Sequence, residues 1–240
     1  MAADISSHPL IEFRAVTKVY GSGEAEVRAL DGVDLVVERG AFVAIMGPSG
    51  SGKSTAMNIM GCLDVPSSGD YLFQGVPIGG LLRDELTLLR RHMFGFVFQG
   101  FNLLARTTAI ENVALPLIYR GMSEEERRRR SLQALAQVGL ADRALHTPAK
   151  LSGGQQQRVA IARAIVTDPV VLLADEPTGN LDTRISREIM SIIVRLNRDA
   201  GLTVIMVTHE DDIAAYASRV IRFIDGRIES DLVQEPVDVL

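Results

Sequence analysis

A chain of 240 residues with 47% hydrophobic side chains can build one large core, or one core with a lobe inserted in it, and is not composed like a disordered protein. Its net charge of -5 argues against a surface made to neutralise nucleic-acid phosphates, which needs clustered excess Lys and Arg. Cys62 stands alone, so an internal disulfide is excluded and a cytoplasmic compartment is expected; residues 1–9 lack the basic and then apolar run of a signal peptide. No stretch reaches the roughly 18 uninterrupted apolar residues that a membrane helix needs, so any membrane span is expected on another chain.

Residues 10–20 and 27–37 alternate apolar and polar positions around a glycine-rich turn, which predicts two half-exposed antiparallel strands. Residues 41–46 are continuously apolar and end in glycine, the pattern of a buried strand, and a short helix is predicted over 53–60. Further strands are predicted at 70–74, 94–98, 170–174, 203–207 and 220–224. Between 98 and 170 the pattern is wholly helical, with helices over 109–119, 123–138 and 154–166, a capping box at Ser123 and Glu126, and Gly139 as a helix terminator. The expected fold class is α/β, with an all-helical lobe inserted into a sheet-based core and an acidic tail from Glu229 at the periphery.

Two segments carry chemistry on their own terms. Gly47-Pro48-Ser49-Gly50-Ser51-Gly52-Lys53-Ser54-Thr55 lies between a buried strand and a helix and reads as a phosphate loop. Its glycines allow the tight path that aims backbone N–H groups at phosphates, Lys53 reaches β/γ oxygens, and the Ser54 hydroxyl suits Mg²⁺. The pattern arises by chance in roughly one chain of this length in a hundred, so a merely flexible loop is the weaker reading. After the apolar run 170–173 come Asp175 and Glu176, carboxylates at the C-terminal edge of a strand, where such sheets bind ligands. Asp175 suits the metal shell and Glu176 suits polarising an attacking water; alone, such a pair is more often a solvated strand end, and the phosphate loop reverses those odds.

Leu151-Ser152-Gly153-Gly154-Gln155-Gln156-Gln157-Arg158 resembles the signature motif of ABC ATPases. Ser152, Gly153 and Gly154, followed by Gln155, make a second glycine-rich helix start, an anion site for which the phosphate loop leaves no phosphate in the same subunit, and Ser152 to Gln155 are expected to complete a neighbour's site. The resemblance implies an ATP-dependent head-to-tail homodimer, each signature closing over the γ-phosphate held by the other copy. It covers nearly the whole chain and implies a P-loop NTPase (RecA-like) core from residues 1–98 and 165–240, with an N-terminal antiparallel β subdomain and an inserted helical subdomain at 99–164, forming a single ABC ATPase domain over 1–240. It further implies that Tyr20 stacks on adenine, that Gln99 reaches Mg²⁺ and the γ-phosphate region, that Asp182 lies in the cross-dimer loop, and that His209 is the switch histidine. The expected catalytic set is Glu176, His209 and Gln99, the metal set Ser54, Gln99 and Asp175, and the ligands ATP and Mg²⁺.

Residues 19–30, 98–104 and 108–113 resemble the branch of macrolide-exporter and lipoprotein-releasing ATPases. That resemblance implies work at the cytoplasmic face of the inner membrane through a separate transmembrane permease, with or without an extracytoplasmic adaptor. A regulatory ABC ATPase of the cell-division type shares every motif and stays open as an alternative; a DNA-repair ABC ATPase is the weaker one, since no coiled-coil or zinc-binding insertion is present and no nucleic-acid partner is expected. Arg127 to Arg130 follow Glu124 to Glu126 and read as ion pairs on a solvated helix face. Apolar residues of 101–117 either pack the helical lobe or remain exposed beside Gln99 as a groove for a permease helix.

Overall fold

The computed structural model describes residues 8–238, so all but the last two of the residues in the signal-peptide argument, and the last two of the tail, lie outside the described residues. The elements run β1 (Ile11–Tyr20), β2 (Val27–Val37), β3 (Phe42–Met46), α1 (Lys53–Met60), β4 (Ser68–Phe73), β5 (Val76–Pro77), α2 (Arg83–Met93), β6 (Phe94–Phe98), α3 (Ala109–Tyr119) and α4 (Glu124–Gln137). They continue with α5 (Gly153–Ile165), β7 (Val171–Asp175), α6 (Thr183–Ala200), β8 (Thr203–Val207), α7 (Asp211–Ala214), β9 (Arg219–Ile224) and β10 (Arg227–Val233). The described chain divides into two compact units, residues 8–89 with 205–238, and residues 90–204.

In the first unit, β2, β1, β4 and β5 form an antiparallel sheet, with Ile11 opposite Val37 at one end of the β1–β2 pair and Tyr20 opposite Val27 at the other. The alternation read from the sequence is the cause: Ile11, Phe13 and Val16 are buried while Arg14 and Ala15 face outward. Ala15 adopts φ 48°, its N–H donates to Asp34 Oδ1 at 2.8 Å, and the register shifts there. The same unit carries β10, β9 and β3, with β9 and β3 parallel, and the Thr208 N–H after β8 donates to Ile45 O of β3. All five β3 residues are buried, as a continuously apolar strand requires. The acidic tail is peripheral, as expected, and begins as a strand: Arg227–Val233 form the largely exposed outer strand β10 against β9, and Gln234 N–H then donates to Ser218 O.

In the second unit β6 and β7 pair in parallel, and Thr203 at the start of β8 donates to Val170 O. Helix α5 packs on β6 at Gly95, where a Cβ would stand 2.4 Å from Ala164 O. Val159, Ala160, Ile161 and Ala162 are fully buried, so α5 is apolar on several faces because neighbours surround it. The Ser123–Glu126 capping box forms only by half: Ser123 Oγ accepts from the Glu126 N–H, but the Glu126 carboxylate turns to Arg129 and Arg130. Charge-assisted bonds to two guanidiniums outcompete a neutral backbone donor. Gly139, at φ 73°, follows α4, and Leu140 N–H closes back on Leu135 O, the glycine-terminated helix end expected. Among the described residues no helix is long and apolar enough to cross a membrane.

Candidate active site

The first unit gathers the phosphate loop, Tyr20 and His209. The loop leaves the buried end of β3 and turns into α1 through Gly47, Gly50 and Gly52, all at positive φ (142°, 81° and 101°). Two of them also answer to close packing, since a Cβ at Gly47 would lie 2.1 Å from Phe223 O and one at Gly52 2.4 Å from Ala29 O. Between them Ser51 is anchored through its carbonyl, which accepts from the Gly226 N–H at 3.1 Å. Its hydroxyl is buried without a hydrogen-bond partner, an orphaned polar group at the heart of the loop. Lys53 Nζ donates to Gly47 O at 2.8 Å and Pro48 O at 2.7 Å, so its ammonium is folded over the loop's own carbonyls. Pro48, Ser49, Ser54 and Thr55 occupy the loop and first helical turn as expected.

His209 is exposed, directly after the buried Thr208 whose N–H bonds Ile45 O two residues before Gly47. The Glu210 N–H donates to Thr208 Oγ1 at 3.1 Å, fixing the turn that carries the imidazole beyond the strand end.

The second unit brings together Gln99, Asp175, Glu176 and the signature helix. Phe98 stands opposite Asp175 in the parallel β6–β7 pair, so Gln99 and Glu176 leave adjacent strands at the same level. A Cβ on Gly179 would lie 2.8 Å from Gln99 Nε2 and 3.2 Å from Glu176 Oε2, so both side chains flank this glycine. Glu176 sits in the left-handed region at φ 44°, a conformation that costs a non-glycine residue ~1–3 kcal/mol and that neighbours must hold. Gln157, fully buried on α5, donates from Nε2 to Pro177 O at 2.6 Å, and its Oε1 is buried without a partner. The Gln99 carbonyl accepts from Asn180 Nδ2 at 3.0 Å, and Arg163 of α5 donates to Phe101 O and Asn102 O, two further left-handed residues. Burial lowers the Arg163 pKa below the usual arginine value.

Gln157, Asn180 and Arg163 were not singled out from sequence, because each acts through a carbonyl distant along the chain.

At the signature, Ser152 caps α5: its Oγ accepts from the Gln155 N–H, and Gln155 Oε1 accepts from the Ser152 N–H at 3.0 Å. The two glycines differ. A Cβ at Gly154 would stand 2.4 Å from Ile185 Cγ2 of α6, whereas one at Gly153 would meet only ordinary contacts at 3.4 Å and beyond. Asp182 is exposed at the start of α6 and accepts the Ile185 N–H at 3.0 Å, so it caps that helix. A polar groove of about 360 Å³ borders Ser152, Gln155, Arg158 and Glu188.

The profile of the family described as "ABC transporter" matches residues 30–179. The chain is 53% identical over 223 residues to the macrolide export ATP-binding/permease protein MacB of Hyphomonas neptunium, covering 93% of this chain and 34% of that protein. It is 54% identical to the MacB of Chlorobaculum tepidum over 222 residues, again covering 34% of it. The chain thus spans about one third of the length of these curated relatives. Among solved structures it resembles the dimeric post-hydrolysis state of the ATP-binding cassette MJ0796 bound to ADP and Pi, with TM-score 0.86 and 46% identity over 95% of this chain and all of that one. It also resembles CbiO1 of Clostridium perfringens, part of the transporter complex CbiONQ, with TM-score 0.85 and 32% identity over 94% of this chain and 88% of that one. With the mixed α/β cassette fold, the chain belongs to the ABC transporter family as its ATPase cassette.

Proposed function

We propose that this cassette hydrolyses ATP at sites completed by a second copy of itself, and that hydrolysis drives conformational work in a transmembrane permease of the macrolide-exporter or lipoprotein-releasing type. The phosphate loop carries the reading. Its three positive-φ glycines, the buried partnerless Ser51 hydroxyl and the Lys53 ammonium folded over loop carbonyls suit a triphosphate, which would give both side chains oxygen acceptors.

Tyr20 takes the adenine, and residues 47–55 take the phosphates. Ser54, Gln99 and Asp175 offer hydroxyl, amide and carboxylate oxygens, the hard donors that Mg²⁺ prefers, and would hold that ion. Bound there, Mg²⁺ supplies charge neutralisation on the phosphate oxygens. Glu176, at φ 44° directly after β7 and with its carboxylate beside Gly179, accepts the proton of the attacking water. His209 donates a hydrogen bond that orients the γ-phosphate, and Gln99 orders the same region.

Ser152, Gly153, Gly154 and Gln155 present a capped helix N-terminus to the γ-phosphate of the other copy, where the helix dipole favours negative charge. Gly153, unconstrained by packing inside its own chain, lets the second copy's nucleotide approach the backbone, and Asp182 lies in the cross-dimer loop. The helical lobe at 99–164 carries this signature and offers a face to the permease, where Leu104, Ile118 and Tyr119 are exposed. Through that permease the cassette works at the cytoplasmic face of the membrane, with or without an extracytoplasmic adaptor; the relatives' name, ATP-binding/permease protein, supports this assignment.

Light scattering on the Glu176→Gln chain tests the composite site. Monomer without nucleotide and dimer with Mg-ATP are expected, and a dimer indifferent to nucleotide would contradict it.

A further inference from the structure

Tyr20 is held in a way that the phosphate chemistry does not require. Its ring lies over the Lys18 ammonium, 5.0 Å from Nζ to the ring centroid. Lys18 is only 9% exposed while Tyr20 is 41% exposed, so the ring rests on a buried cation and is still partly open to solvent. Lys18 Nζ donates to Asp64 Oδ1 at 2.6 Å and to Val65 O at 2.8 Å, and the Tyr20 hydroxyl donates to Asp64 Oδ2 at 2.7 Å. The two carboxylate oxygens therefore grip the ring's hydroxyl and the cation beneath it at once.

Asp64 is itself fixed. The Val65 N–H donates to its Oδ1 at 2.7 Å, and the turn is tied to β1 through Ser67, whose N–H donates to Thr17 O and whose Oγ accepts the Val19 N–H at 3.0 Å. Burial opposes ionisation of Asp64, but hydrogen bonds from Lys18, Tyr20 and the Val65 N–H outweigh it and keep the carboxyl below its usual range.

We propose that Lys18 and Asp64 are positioning residues that bracket the Tyr20 ring and set how tightly the cassette holds a nucleobase on the ring's open face. The proposal rests on the reading of Tyr20 as the base-stacking residue. A free tyrosine would have to give up side-chain rotation on binding; here the folding of the β1 end and the Asp64 turn has already removed it. That preorganisation is worth about 3- to 10-fold in affinity. The bracket's own hydrogen bonds run among Lys18, Tyr20, Asp64 and Val65 and include no residue that takes phosphate, so its effect should fall on the base.

Calorimetric titration of the full chain with Mg-ATP and, separately, with inorganic tripolyphosphate tests it. Removing one member of a half-buried ion pair would strand the other charge, so the double variant Lys18→Met/Asp64→Asn is used, with Tyr20→Phe as the mildest perturbation and Tyr20→Ala as the reference. Tyr20→Ala should weaken ATP by about 10- to 100-fold, the loss of a stacked base. The double variant should weaken it by about 3- to 10-fold and Tyr20→Phe by about 3-fold, while all three bind tripolyphosphate within about twofold of the parent. A double variant with parental ATP affinity beside a weak Tyr20→Ala overturns the bracket and leaves the stacking reading standing. Equal losses for ATP and tripolyphosphate in the double variant overturn it as a merely structural pair. Parental ATP affinity in Tyr20→Ala overturns the stacking reading, and the bracket with it.

Discussion

The signature motif holds two adjacent glycines that differ in packing, and alanine at each separates packing from the proposed role in the composite site. At Gly154 a methyl group would fall 2.4 Å from Ile185 Cγ2, more than about 1 Å inside the ~3.5–4.0 Å optimum for carbon contacts. Ile185 cannot swing aside cheaply, because a β-branched residue on a helix has essentially one χ1 rotamer, so α5 and α6 must separate locally. Overpacking of that kind costs about 1–3 kcal/mol. At Gly153 the same methyl meets Leu181 at 3.4 Å, ordinary contact. Both substitutions gain the same helix propensity, up to ~1 kcal/mol, so that contribution cancels in their difference. Gly154→Ala should therefore be less stable than Gly153→Ala by about 1–3 kcal/mol, which for a chain of this size is roughly 2–12 °C in Tm. Thermal unfolding without nucleotide is the assay, since bound ATP would add its own stabilisation. On the proposed composite site, Gly153→Ala should nonetheless lose Mg-ATP-dependent dimerisation, because its methyl would stand where that proposal brings the second copy's nucleotide. Melting points within about 1 °C of each other would refute the packing argument.

Two further outcomes follow from named contacts. Gln157→Met keeps the buried volume, removes the donor to Pro177 O and also removes the partnerless Oε1, so the two effects on stability offset to within ~1 kcal/mol. Turnover should nevertheless fall by about 5- to 100-fold at unchanged ATP KM as Glu176 relaxes out of its left-handed conformation; steady-state kinetics beside a melting curve checks this, and parental kcat would count against it. Glu126 is held at a pKa of about 2, against an ordinary 4.5, first by its hydrogen bond from Arg129 and then by that from Arg130. A carboxyl whose folded pKa is depressed stabilises the fold above its unfolded value and loses that contribution as pH falls from about 4.5 towards 2. Glu126→Gln should flatten the stability curve in that window, and an unchanged slope in denaturant titrations there would contradict the pairing.

The legible parts of the sequence were those whose cause is local. The apolar run of β3 ending in Gly47, and the helix that starts at Lys53, follow from burial and glycine geometry within a dozen residues, and both stand at the expected bounds but for Ala41. The helix α6 was not assigned, although Asp182 caps it and Gly201 at φ 66° ends it; Asp182 was read only as a partner-facing residue, and its capping role lies in the same side chain. Helix α2 gave little signal because among its residues only Leu86 is buried.

What holds the site was the least legible. Glu176 could be named, but not its φ of 44° or the Gln157 amide that fixes the next residue 20 positions away. Gln99 could be named, but not the Asn180 amide on its carbonyl or the Arg163 guanidinium that pins the following turn. Such bonds join side chains to carbonyls far apart in sequence and leave no periodicity to read.

Single-turnover hydrolysis by Glu176→Gln, measured beside ATP affinity, tests most directly the claim that this cassette breaks ATP with Glu176 as the base. The substitution keeps volume and hydrogen-bonding reach but removes the basic carboxylate. The rate should fall by roughly 10²- to 10⁴-fold with ATP affinity little changed and the Mg-ATP dimer persisting. Hydrolysis near the parental rate would contradict the assignment.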